Sequence, residues 1–81
     1  MNYEEKIRKI VNDLGRLFRV ETLNARQDIT IEDTTIFVFN FNNHTNITCR
    51  IDTNAIMNVD IKKIELHISN LCISQLLGNY K

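Results

Sequence analysis

The side chains best suited to chemistry in this sequence are two cysteines, two histidines and a few clustered acids. Cys49 and Cys72 are 23 positions apart, and His44 and His67 fall near neither a second histidine nor a paired cysteine. A zinc site draws on closely spaced Cys and His pairs, which this spacing does not provide, so no metal centre and no cofactor are expected. A Cys–His nucleophile would require an exposed thiolate beside a positive group, whereas Cys49 and Cys72 both fall on core-facing positions of their segments. Two buried free thiols are the expectation. The acids Glu32-Asp33, Asp52 and Asp60 sit where turns and helix caps need them. Asp60-x-Lys62 matches only a fragment of a metal-dependent nuclease motif. A chain of 81 residues also has little mass with which to enclose a pocket, and a non-enzymatic protein is expected.

Two surface features remain. Lys6, Arg8, Lys9, Arg16 and Arg19 gather on the polar side of the first helical segment and hold 5 of the 10 basic residues. They form a candidate basic face for phosphates or an acidic partner. Val59, Leu66, Ile73 and Leu77 recur at helical spacing on the side of the last segment opposite its core stripe. A helix resting on a sheet buries one apolar stripe, and a second requires another cover. These four residues are the candidate interface, either with a second copy of the chain or with another protein.

The elements that position these features follow from periodicity. Asn2, with Glu5 three residues on, forms a helix-capping signature. Ile7, Ile10, Val11, Leu14, Leu17 and Phe18 then make a single apolar stripe despite Gly15, which predicts a helix running to Phe18. Three strands are expected next. Asp28–Asp33 alternates, with Ile29 and Ile31 on one face. Thr35–Asn42 carries Phe37, Phe39 and Phe41 on one face and Ile36 and Val38 on the other, the pattern of a central strand. Asn46–Asp52 alternates again and points Ile47, Cys49 and Ile51 inward. Asn42-Asn43-His44-Thr45 supplies the second hairpin connection. The last segment reads as one helix over Val59–Leu77, capped by Asn58 and stopped by Gly78, with Ile61, Ile64, Ile68, Leu71 and Cys72 inward. The competing assignment is a strand at Ile64–Ile68 followed by a short helix.

The expected fold is thus a single α+β domain over residues 1–81: an N-terminal helix, a three-stranded antiparallel meander and a C-terminal helix, α-β-β-β-α, with the helices on one face. In topology this resembles the double-stranded RNA-binding domain. That family's basic opening of the second helix, its glycine-rich approach and its basic-aromatic hairpin are replaced here by Asn58-Val59-Asp60, by the absence of Gly between residues 16 and 77, and by Asn43-His44. The topology is shared and the binding chemistry is not, so membership is not claimed.

Ten basic and ten acidic residues give zero formal charge. A general nucleic-acid binder carries a positive excess, so nucleic acid through the basic face is the alternative rather than the first reading. No basic-then-apolar segment opens the sequence, and the longest apolar run is Ile36–Phe39. A cytoplasmic protein without a membrane segment is expected, in which the sequons at Asn43 and Asn46 are idle. Richness in Asn, Ile and Lys suits an AT-rich coding sequence, and small phage-encoded proteins share the general look of this chain. Small domains have a thin stability margin that dimerisation restores. The first reading is therefore a small protein-interaction module, dimeric, regulating or inhibiting a protein of unknown identity.

Overall fold

A computed structural model of the protein describes residues 1–78, and its elements run α1 (Tyr3–Phe18), β1 (Thr22–Gln27), β2 (Thr34–Asn40), β3 (Asn46–Asp52), α2 (Thr53–Asn58) and α3 (Ile61–Gly78). The three strands form an antiparallel sheet in the order β1-β2-β3. This is the α+β meander expected, with the helices packed against the sheet and one extra short helix before the last. Among the described residues no helix is long and apolar enough to cross a membrane.

The core follows from the pleat. Successive side chains alternate between faces, so Leu23 and Ala25 on β1, Thr35, Phe37 and Phe39 on β2, and Ile47, Cys49 and Ile51 on β3 share the face that meets the helices. Phe37 and Phe39 are fully buried. Phe18, the last residue of α1, meets Phe39 edge-on with ring centroids 5.5 Å apart. Ile10 and Leu14 from α1, Ile56 from α2, and Ile64, Ile68 and Cys72 from α3 close the cluster. Thr35 is a buried polar residue on this face, and its hydroxyl is satisfied at 2.8 Å by both Tyr3 of α1 and Thr53 of α2.

α1 begins as the sequence indicates, with the Asn2 side chain accepting from the Glu5 amide at 2.8 Å. It ends at Arg19, which takes the left-handed conformation (φ 51°). Leu17 departs from expectation. It is 66% exposed, because the helix turns its inward side through Ile10, Leu14 and Phe18.

The first strand is a correction. Asp28–Asp33 is not a strand; the strand is Thr22–Gln27, and Ile29 is 92% exposed. The Asp28 carboxylate accepts from the Thr30 amide and hydroxyl at 2.8 and 2.7 Å, an Asx turn that withdraws this segment from a ladder. Asp33 sits in the left-handed region (φ 53°) just before β2. The alternation of Ile29 and Ile31 lost to local side-chain–backbone bonding. The second hairpin forms where expected, but His44 rather than an asparagine takes the left-handed position (φ 66°).

The last third also differs at its start. Asp52 caps α2 by accepting from the Asn54 amide at 2.9 Å. Asn58 does not cap α3. Its side chain donates back to the Asn54 carbonyl at 2.8 Å, and the chain turns extended at Val59 before α3 begins. From Ile61 onward the segment is one continuous helix. Its inward residues are those expected, Ile64, Ile68 and Cys72 buried with Ile61 and Leu71 half-buried.

Replacing Phe39 with Ala removes the ring on which Phe18 and Phe41 both lean. The change should cost about 3–5 kcal/mol, a large share of the stability of so small a domain. Urea unfolding should find the variant largely unfolded in water, and a midpoint equal to the wild type would contradict a core centred on β2.

Candidate functional site

Two contacts fix how α1 lies against α3. The Lys6 amine donates to the carbonyls of Ile56 and Met57 at 3.1 and 2.6 Å, tying the start of α1 to the end of α2. Two turns later, Asp13 meets Glu65 of α3. Lys6 thus ties α1 to α2, and Asp13 and Glu65 mark where α1 meets α3.

This arrangement sorts the outer surface of α3. Glu65 lies at the seam with α1, and Ser69 of the same helix is buried. Beyond the seam the helix presents Leu66, Ile73 and Leu77, which are 62%, 45% and 64% exposed. Positions 63, 66, 70, 73 and 77 follow one another at steps of 3, 4, 3 and 4, so Lys63, Leu66, Asn70, Ile73 and Leu77 share one stripe. Leu17 of α1 is exposed as well. Singly exposed apolar residues are ordinary, but several on one stripe mark a contact surface.

The structure brings together three of the four residues picked out from sequence. Val59 is the exception: it lies in the extended link between α2 and α3, so helical spacing no longer joins it to the others. The exposure of Leu17 was missed because its position fits the core stripe of α1 equally well. From the sequence, the tail Asn79-Tyr80-Lys81 is a further candidate cover for this stripe; it lies outside the described residues.

The basic face is less coherent than its spacing suggests. Lys6 is engaged as a cap for the end of α2. Lys9 pairs with Asp13 at 3.1 Å. Arg8, Arg16 and Arg19 are exposed, with Arg19 beyond the last turn of the helix. Two of the five cations thus serve intramolecular roles.

The other candidate groups take structural positions. Cys49 and Cys72 are buried and unbridged, and burial pushes both thiols up to about 11, away from reactivity at neutral pH. Asp60 offers its carbonyl to the Lys63 and Ile64 amides at the start of α3. Among the described residues no three His, Cys, Asp or Glu side chains converge on a metal position. An open cleft of about 460 Å³ lies at the β1–β2 turn, lined by Ile31, Glu32, Asp33, Arg50, Asp52 and their neighbours.

The Asp13–Glu65 contact is the most perturbed ionisable pair. Burial, then the hydrogen bond and negative charge of Asp13, push the Glu65 carboxyl from its ordinary 4.5 up to about 7. Asp13 moves the other way, lowered by the hydrogen bond from Glu65 and by Lys9. With both groups ionised neither can donate, and Glu65 Oε2 is buried with no partner. One proton held on Glu65 and donated to Asp13 satisfies the seam.

Compared with known protein families, curated proteins and solved structures, the chain shows no significant match.

The seam makes stability depend on pH with a definite sign. A carboxyl raised in the fold contributes stability below its ordinary range and loses it as pH climbs towards about 7. Glu65→Gln, which keeps a donor without the charge, should therefore melt higher than the wild type at pH 8 and no higher at pH 5. Thermal unfolding at the two values checks this, and an equal or lower melting temperature for the variant at pH 8 would contradict it.

Proposed function

We propose that the protein is a non-enzymatic interaction module that acts through the outer face of α3, and that the first partner of this face is a second copy of the chain. The observation that carries the reading is the exposed stripe Leu66, Ile73 and Leu77 on α3. Water contact on such a stripe is unfavourable by ~25 cal/mol for each Å² of apolar surface, and a symmetric pairing removes it from both copies at once. The small size supports this, because a short chain has little core from which to draw stability. The biological role that fits is that of a cytoplasmic regulator or inhibitor of the kind small phage and mobile-element proteins provide, binding a host or viral protein.

Binding of nucleic acid through α1 is the competing reading, and it has less support. Lys6 and Lys9 are already occupied, Glu4 and Glu5 share the first turn, and the whole chain has no positive excess.

Size-exclusion chromatography with light scattering at micromolar concentration should find a dimer. Leu66→Glu and Ile73→Glu each set a charge into the contact and should give folded monomers, since neither side chain enters the monomer core. A monomeric wild type would refute self-association. DNA and RNA should leave the protein's mobility unchanged at ~50 mM salt; a shift that disappears by ~200 mM would favour the α1 reading instead.

A further inference from the structure

If the outer face of α3 is a contact surface, as proposed above, its ends and its middle specify how two copies meet. α3 is an 18-residue helix, about 27 Å long, with an unusual charge layout. Its first turn holds Lys62 and Lys63 and no acidic side chain, and its last turn holds no basic one. A helix carries partial positive charge at its N-terminus and partial negative charge at its C-terminus. Within one chain the two lysines lie at the partly positive end, with Asp60 just before the helix and Glu65 beside Lys62 as their nearest acids, and the last turn supplies no cation to its own carbonyls.

We infer that two copies pair through antiparallel α3 helices, with the two-fold axis passing beside Asn70. Lys63 and Leu77 are each 7 positions from Asn70, so the axis sets Lys63 of one copy against Leu77 of the other. Lys62 and Lys63 of each copy then lie over the last-turn carbonyls of its mate, and both mismatched ends are compensated twice in the dimer. Leu66 of one copy packs beside Ile73 of the other. The two Asn70 side chains meet at the axis, where each amide can donate to and accept from its twin. A lone asparagine in an apolar stripe fixes register at some cost in stability. A parallel pairing would bring four lysines together at one end and leave all the last-turn carbonyls unpaired. The charge layout therefore selects the antiparallel arrangement.

Two experiments separate this inference from the reading on which it rests. Lys63→Cys and Leu77→Cys proteins, treated with a short thiol cross-linker, should give covalent dimers when mixed and few when each is treated alone. Like positions are ~21 Å apart in the antiparallel pair, from 14 residues at ~1.5 Å each. The native thiols, buried and held protonated, contribute little background. Covalent dimers from each variant alone, with none from the mixture, would show a parallel pair and overturn the inference while leaving the contact surface intact. The double variant Lys62→Glu/Lys63→Glu supplies the second test. It places acids at the partly positive end of their own helix but also removes the cation acting on Glu65, so thermal unfolding first establishes that the variant monomer is folded at the temperature of the measurement. Its dimer should dissociate roughly tenfold more readily, since the acids now face carbonyls. An unchanged or tighter dimer overturns the inference, and a wild-type protein that is monomeric overturns both it and the reading beneath it.

Discussion

The fold depends on one constraint: the central strand is apolar on both faces, and three helices cover only one of them. Phe37 and Phe39 point at the helices and are fully enclosed by residues from α1, α2 and α3. On the open face Ile36 is nevertheless buried, with Arg26 and Arg50 as its cross-strand neighbours. The aliphatic stems of two arginines can shield such a residue while their charged ends stay in water. One aromatic strand thus gathers the helices on one face, and the sheet's outer side carries polar side chains around Ile36 and Val38.

The helices pay unequally for that arrangement. α1 buries Ile10 and Leu14, half-buries Ile7, Val11 and Phe18, and turns a charged side outward, as a helix at a protein surface should. α3 is apolar on two sides, and the sheet takes only one. Asp13 and Glu65 meet where α3 touches α1, and Leu66, Ile73 and Leu77 remain exposed beyond it. Gln75 donates to the Thr48 carbonyl of β3 at 2.8 Å, which ties this flank of α3 to the sheet. The exposed stripe is thus a product of how the rest of the chain packs.

Much of this was legible in the sequence. β2, β3 and α1 announce themselves because aromatic alternation, β-branched alternation and a capped helical stripe are strong periodic signals. β1 was not legible: Leu23 and Ala25 are its only inward apolar residues, while Ile29 and Ile31 next to it imitate a better strand. What decided the matter was the Asp28 side chain, which bonds its own turn. α2 was hidden for a similar reason, since six residues carry too few periods to read and its capping acid, Asp52, ends a strand. Of the candidate site, the α3 stripe was visible in its spacing. The exposure of Leu17, the loss of Val59 and the occupation of Lys6 and Lys9 depend on tertiary contacts that spacing does not encode.

The central claim is that the outer face of α3 is a contact surface for a second copy. A dilution series followed by amide NMR tests it residue by residue. From millimolar to low micromolar concentration, the amides of Leu66, Asn70, Ile73 and Leu77 should shift together, while those of Arg26, Ile36 and Arg50 on the open sheet face stay in place. A spectrum that does not change on dilution and relaxes as a monomer throughout, or shifts confined to the open sheet face, would contradict it.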